Sequence, residues 1–309
     1  MTYKIAFIGA QTGDEGKGVR EVYYVKKAVD LATKLSGERE ELYAWTMRWQ
    51  GGANAGHTLE INGQRYALHQ VPSAIVIPGT YNLMGEGVFI EPKSCLNEIN
   101  ELRKRGIDIN IANLGIASNA HVTLSYHLED DTTASVRRVG HTSTGRGIGP
   151  TAVDKYGRVG IRFQEFINRL AFIESLEQRF PTSPPHKIRD IANQYSRERE
   201  ELGEFSALQE NVLNNLRFKF GIGEGAQGFQ LDVDRGLYPG VSSSSPSIVS
   251  FRADKIVGVV KMYESSIGGN RPFVGRISDV NLENRLRTLW GEHGTTTGKP
   301  RNLGWLDAV

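Results

Sequence analysis

Apolar residues along the chain recur in two rhythms. YKIAFIG (3–9) is a short apolar run ended by glycine, which predicts a buried strand. Behind it, VREVYYVKKAVDLATKL (19–35) carries Val22, Val25, Val29 and Leu31 at helical intervals, which predicts a helix with those residues turned inward. Strand, glycine-rich turn and helix make a first βα unit. YNLMGEGVFIEP (81–92) predicts another strand leading into a loop. SCLNEINELRKRG (94–106) predicts a helix with Leu96, Ile99 and Leu102 inward and Gly106 as its stop. EFINRLAFIESLEQRF (165–180) reads as a single helix on Ile167, Leu170, Ile173 and Leu176, broken by Pro181, Pro184 and Pro185. The polar stretch 188–216 reads as one or two solvated helices, and the serine run 242–247 as a ligand-facing loop. With no repeat and no clear boundary, the expectation is one α/β domain over residues 1–309. Its mostly parallel central sheet is flanked by helices, with a P-loop-like glycine-rich phosphate loop after the first strand.

Bulk properties narrow the function little. The 37 basic and 35 acidic side chains give a net charge of +2, so nucleic acid is not an expected partner. A small anionic ligand needs only a local cluster. The single Cys95 rules out an internal disulfide and suits a reducing compartment. No segment reaches the roughly 18 apolar residues of a membrane helix, and the amino terminus lacks the pattern of a secretory signal. A cytoplasmic location is expected.

The glycines carry more. In IGAQTGDEGKGVR (8–20), Gly13, Gly16 and Gly18 surround Asp14, Glu15 and Lys17. Glycines between a strand and a helix let backbone N–H groups approach an anion at the positive end of the helix dipole, and Lys17 adds a point charge. Lys17 is followed by Gly18 and Val19, not by the Ser or Thr that completes a nucleotide-binding P-loop. Asp14 is therefore the candidate metal ligand. QGGANAGHTL (50–59) offers Asn54, His57 and Thr58, and its histidine reads as a loop residue with nothing to pack against. Three more polar glycine-rich stretches follow: HTSTGRGIGPTAVDKYGR (141–158), EGAQGFQLDVD (224–234) and GTTTGKPRNLGWLD (294–307). Five such loops in one chain point to a wide site for several anionic ligands.

In their order and spacing, GDEGKG, NAGHT, STGRGIGP…DK…R, EGAQG…LD.D.G.YP and GTTTG…R..GWLD resemble the adenylosuccinate synthetase family from Lys4 to Asp307. The resemblance implies a GTP-dependent joining of IMP and L-aspartate with Mg²⁺, by a homodimer, in purine synthesis. By it, Asp14 takes the proton from N1 of IMP and also binds magnesium, with the carbonyl of Gly56 as a second ligand. His57 donates to the departing phosphate oxygen, and Gln227 completes the catalytic set. Gly13, Glu15, Gly16, Lys17, Gly18, Gly56, Thr58 and Arg301 match nucleotide contacts. Asn54, Ala55, Thr144, Ser242, Thr296, Thr297 and Lys299 match substrate contacts, and Arg158 the arginine that reaches the partner protomer's IMP.

Departures from the family pattern are local except at the end. Lysine at 299 replaces the usual arginine and loses its two-pronged grip on a carboxylate. Ser242 replaces threonine, Val19 a lysine, Ala53 a more polar residue, and Pro300 stiffens its loop. After GWLD, the Lys-x-Asp element that reads guanine in the family has no counterpart before Val309, so ATP stands beside GTP as a donor. A phage-type synthetase acting on dGMP is a second reading, opposed by Asp14 where that group has serine. A nucleotide-binding homologue with impaired catalysis is a third, and a P-loop kinase fits least.

Overall fold

The computed structural model describes residues 2–13, 15–36, 43–135, 143–215, 217–267, 275–294, 298 and 300–306. The amino-terminal run forms strand β1 (Tyr3–Gly9). Helix α1 (Lys17–Ser36) starts early enough to take Lys17 and Gly18 into its first turn. Val25, Ala28, Val29 and Ala32 form its buried stripe. Leu31, expected inside, is 51% exposed, because two residues carry it about 200° round the helix from Val29.

Next come β2 (Ala44–Gly52), the ribbon β3 (His57–Ile61) and β4 (Gln64–Leu68), and the long β5 (Thr80–Ile90). No loop follows β5. It passes straight into α2 (Pro92–Lys104), where the Glu91 carboxylate accepts the N–H groups of Lys93 (3.2 Å) and Ser94 (2.7 Å). Pro92, which has no N–H to satisfy, takes the first helical position. Gly106, at φ +83°, ends this helix as predicted.

β6 (Leu114–Ala117), β7 (His121–Val122), α3 (Ser125–Ser135) and α4 (Ile148–Gly157) precede the stretch expected as one helix. There are two, α5 (Phe163–Ile167) and α6 (Arg169–Arg179). Asn168 between them is extended, and its side chain accepts the N–H groups of Leu170 and Ala171. Local capping outweighs the apolar period here, and Leu170 is left 69% exposed. The polar stretch after it forms α7 (Pro185–Asn193), α8 (Ser196–Gly203), the short β8 (Ser206–Ala207) and α9 (Gln209–Leu213). It is not merely solvated. Ile188, Ala192, Tyr195, Arg199 and Leu202 are spaced alternately four and three apart, and all are buried.

β9 (Phe220–Glu224) and β10 (Lys255–Val259) complete the sheet. A ribbon of β11 (Tyr263–Ile267) and β12 (Arg301–Trp305), with α10 (Val280–Trp290) between them in sequence, closes the described chain. The central sheet runs β10-β1-β9-β2-β5-β6-β8, with β7 on β5, and every pairing is parallel. All nine residues of β2 are buried, as expected of a strand covered on both faces. One large apolar cluster joins β5, β6, α2 and α5–α8, and a second gathers Trp45, Met47, Trp49, Leu83 and Phe251. Each fully buried Leu, Ile or Phe there stabilises by roughly 1.5–3 kcal/mol.

This topology places the site. β1, β9 and β2 are adjacent and parallel, so the turns after Gly9, Glu224 and Gly52 leave the same sheet edge. Ligands of open parallel sheets bind at that carboxyl edge.

Candidate active site

The turn after β1 is held by its own charges. Glu15 Oε1 accepts the N–H groups of Gln11 (3.0 Å) and Gly13 (2.7 Å), and Glu15 Oε2 pairs with Lys17 Nζ at 2.9 Å. Lys17 Nζ also donates to the Gly13 carbonyl at 3.0 Å. Both side chains are buried. The Glu15 carboxylate thus occupies two of the N–H groups that an anion would use. Gly13 is at φ +103°, and a Cβ there would lie 2.6 Å from Gln227 Cα, so the turns after β1 and β9 touch backbone to backbone. A Cβ on Gly18 would collide with Ser73 Oγ and come within 2.8 Å of Glu224 Oε1. Gln11 fastens the second ribbon to this turn, donating to Tyr263 O (3.1 Å) and Glu264 Oε1 (2.9 Å) and accepting from Lys261 N (2.7 Å).

His57 departs from expectation. It is the first residue of β3 rather than part of an unpacked loop, and its imidazole is 8% exposed. The change of place has an electrostatic cause: Nδ1 is bound to Glu224 Oε1 at the end of β9. Glu224 also accepts Ser73 Oγ (2.9 Å) and Ser73 N–H (3.1 Å), and faces Arg48 directly across the β2–β9 pairing. Burial pushes the Glu224 carboxyl up, but His57 and Arg48 outweigh it and hold the group well below the usual carboxylate range. Burial lowers His57, with Arg48 and Lys17 acting the same way and Glu224 opposing. The neutral imidazole therefore gives its Nδ1 proton to Glu224 and turns Nε2 away from it.

Two side-chain carbonyl oxygens, Asn54 Oδ1 and Gln227 Oε1, are buried with no hydrogen-bond donor among the described residues. Gln227 holds a left-handed backbone, φ +53°, and the adjacent Ala226 carbonyl accepts Gln50 Nε2. Ala55 donates its N–H to Gly52 O (3.1 Å) and its carbonyl accepts His69 Nδ1–H (2.7 Å), which fixes the turn between Asn54 and Gly56. An unpaired buried acceptor destabilises by about 1–3 kcal/mol. Two of them on neighbouring turns of one sheet edge mark a place where a ligand supplies the donors.

Gly16 completes the first turn, and Thr58 follows His57 on β3 opposite Ala67. Ser242 donates its N–H to Leu231 O (2.8 Å), and its loop is held by buried Asp232, which accepts from Asp234, Arg235 and Ser247. Thr144 is exposed in a turn held by Asp131, which accepts Ser143 Oγ (2.7 Å) and Gly147 N–H (2.9 Å). Arg158 ends α4 exposed and left-handed, φ +62°. Its helix is anchored through Asp154, which accepts His127 Nε2–H (3.1 Å) and Arg179 Nε–H (2.9 Å). Arg301 is buried on β12, its NH1 on Glu292 Oε2 at 2.7 Å. Asp14, Thr296, Thr297 and Lys299 lie outside the described residues.

Sequence reasoning missed Glu224, Arg48, Ser73 and Glu21, the buried charges and donors behind His57. Only Glu224, a carboxylate ending an apolar run inside EGAQG, left a readable signal. No three His, Cys, Asp or Glu side chains among the described residues are grouped to hold a metal ion. Among the described residues, the Gly56 backbone carbonyl offers an oxygen donor. An oxygen donor of this kind suits a hard divalent cation.

Comparison with known proteins shows the family. The family model for adenylosuccinate synthetase matches residues 6–309. The adenylosuccinate synthetase of Streptococcus gordonii is 36% identical, over 99% of this chain and 72% of that protein. The solved structure of fully ligated adenylosuccinate synthetase from Plasmodium falciparum has a TM-score of 0.78 at 29% identity, over 98% of this chain and 72% of that one. Succinoaminodeoxyadenylate synthetase of cyanophage S-2L, at 18% identity and a TM-score of 0.64 over 100% of this chain and 79% of that one, shares the fold. With an all-parallel sheet, three glycine turns on one edge and these relatives, the chain belongs to the adenylosuccinate synthetase family.

Proposed function

We propose that the chain, as a C–N ligase of purine biosynthesis, joins IMP and L-aspartate at the expense of GTP. The observation that carries this is the pair of unpaired buried oxygens on Asn54 and Gln227, beside a charged phosphate turn and a carboxylate-held histidine. The 6-oxo group of IMP is a poor leaving group and must be activated. Asp14 takes the proton from N1, and the 6-oxygen attacks the γ-phosphorus of GTP as the bond to the β–γ bridging oxygen breaks. Polyphosphate beside His57 Nε2 favours the imidazolium, which Glu224 stabilises from the other side, so Nε2–H donates to the departing oxygen. The amine of aspartate then attacks C6, and phosphate leaves with the C–O bonding pair.

Lys17 and the N–H groups of the first turn hold the phosphates, Asn54 and Gln227 orient the IMP, and Thr144 and Ser242 contact it. Accommodating a phosphate requires Glu15 to yield the Gln11 and Gly13 N–H groups. Asp14 and the Gly56 carbonyl would hold the divalent metal, Mg²⁺, which supplies charge neutralisation on the phosphates when bound. Residues 296–301 close over aspartate, and Lys299 binds its carboxylate as a point charge.

The active form is a homodimer, with Arg158 reaching the partner protomer's IMP. Val153 (70% exposed) and Tyr156 (77%) on α4, with Val159 (45%) just beyond Arg158, form an exposed apolar patch that supports this reading. Arg158→Leu is expected to raise the KM for IMP at least about tenfold, in line with loss of a charge-assisted bond, while sedimentation of the variant is expected to report a dimer. No helix among the described residues is long and apolar enough to cross a membrane, and we place the enzyme in the cytoplasm.

Asn54→Leu and Gln227→Met test the site. Each is expected to weaken IMP binding by about 10–100-fold, the worth of a lost bond to a polar ligand. Thermal stability should stay level or rise, since each change removes a buried unpaired oxygen. Titration calorimetry and thermal melts measure the two effects. Unchanged IMP affinity in both variants would contradict the assignment.

A further inference from the structure

Glu21 lies one turn beyond Lys17 on α1 and is fully buried. Neither of its carboxyl oxygens accepts a well-formed hydrogen bond among the described residues. The Glu224 carboxylate is pressed against the same helix, its Oε1 lying 2.8 Å from where a Cβ on Gly18 would stand, three residues before Glu21, and it interacts with the Glu21 carboxyl. Two carboxyl groups in such contact are compatible only when one proton lies between them. The surroundings decide which one carries it. Glu224 has Ser73 N–H, Ser73 Oγ–H and His57 Nδ1–H directed at it, with the Arg48 charge on the adjacent strand. Glu21 has Arg48 and the Ala74 backbone acting weakly against burial and the Glu224 charge, and its carboxyl is raised well above the usual range. Arg48 and Glu224 then balance, and Glu21 is neutral.

We propose that Glu21 is a positioning residue for catalysis: it keeps its proton, donates it in a hydrogen bond to Glu224, and so holds the Glu224 carboxylate against His57 Nδ1. This rests on the role given above to His57. The arrangement makes α1 a rigid link between two parts of the site. Lys17 in its first turn serves the phosphates, and Glu21, four residues on and so on the same face, sets the imidazole through Glu224. A carboxylic acid is needed because an ionised Glu21 would repel Glu224 and compete for its donors. Arg48 could not neutralise both charges, since it also interacts with the half-buried Glu98.

The test compares wild type, Glu21→Gln and Glu21→Leu by infrared difference spectroscopy and steady-state kinetics. Glutamine can donate from the same place, so Glu21→Gln is expected to rescue kcat to within about threefold of wild type. Leucine cannot, and kcat is expected to fall about 10–100-fold with the KM values for IMP and nucleotide little changed, as for other groups that orient a reacting side chain. The wild-type spectrum should hold the carbonyl stretch of a buried carboxylic acid between about pH 6 and pH 9, absent in Glu21→Gln. Equal kcat in the leucine and glutamine variants, or no such band in wild type, overturns the proposal. Should leucine prevent folding, the band and the glutamine variant decide it. The band is read without substrates, so its presence in a protein that does not turn over would reject the synthetase reading and not the Glu21–Glu224 pair.

Discussion

Glu224→Ala is expected to destabilise the protein by about 3–5 kcal/mol and to lower kcat by about 10²-fold or more. Glu224 is fully buried and gathers hydrogen bonds from Ser73 and His57. Truncation also removes the nearby negative charge that favours the buried Arg48 guanidinium from the adjacent strand. Removing one partner of a buried pair is far more costly than replacing both, because the survivor keeps its desolvation penalty. His57 loses the acceptor that fixes its tautomer at the same time. Denaturant melts measure the first effect and initial rates the second. The acid response follows from the sign of the shift. The Glu224 carboxyl is held below its unfolded value, so its contribution is complete above about pH 4 and is lost as pH falls through the folded value. Glu224→Ala should therefore remove part of the wild-type loss of stability in acid. A variant as stable and as active as wild type would mean that the cluster behind His57 has no bearing on the reaction.

Gly13→Ala is the second large effect, and its cause is steric. Gly13 sits at φ +103°, outside what an L side chain readily adopts, and its Cβ would stand 2.6 Å from Gln227 Cα and 2.8 Å from Gln227 C. Backbone strain of about 1–3 kcal/mol adds to an overpacking cost of about 1–3 kcal/mol. The relief open to the chain is to part the turns after β1 and β9. That separates the phosphate contacts from Gln227, and a displacement near 1 Å in a catalytic site costs about 10²-fold. The expected outcome is a fall of about that size in kcat/KM for IMP and GTP together. Gly16→Ala is the control, since a Cβ there meets no atom within 4 Å although its φ is +84°. If both variants lose activity equally, backbone conformation and not the contact with Gln227 is responsible.

These two residues show how differently parts of the site were legible in the sequence. Gly13 belongs to a local pattern, a glycine turn between an apolar run and a helical period, and local patterns can be read along a chain. Glu224 acts through neighbours on other strands, Arg48 on β2 and His57 on β3, and the strand order that unites them is written in no local period. Glu21 was hidden for a related reason. Flanked by Arg20 and Val22 in a mixed helix, it reads as a solvated charge until the helix is seen to press it onto Glu224. The elements followed the same division. β1 and α2 matched their apolar periods, whereas the predicted helix over 165–180 broke at Asn168, where a side-chain cap overrode the period. Ile188, Tyr195 and Leu202 were passed over because a three-four apolar spacing is diluted by the charges between them.

The most direct test of the central claim is a coupled assay of the purified protein with IMP, L-aspartate, Mg²⁺ and either GTP or ATP, beside Asp14→Ala. Succinyl-purine absorbance and phosphate release are followed together. The predicted result is turnover with GTP that vanishes in the Asp14 variant, and the rate with ATP reports how far this chain discriminates between donors. No turnover with either donor, from a protein that still binds IMP, would contradict the synthetase assignment and leave a nucleotide-binding homologue with impaired catalysis.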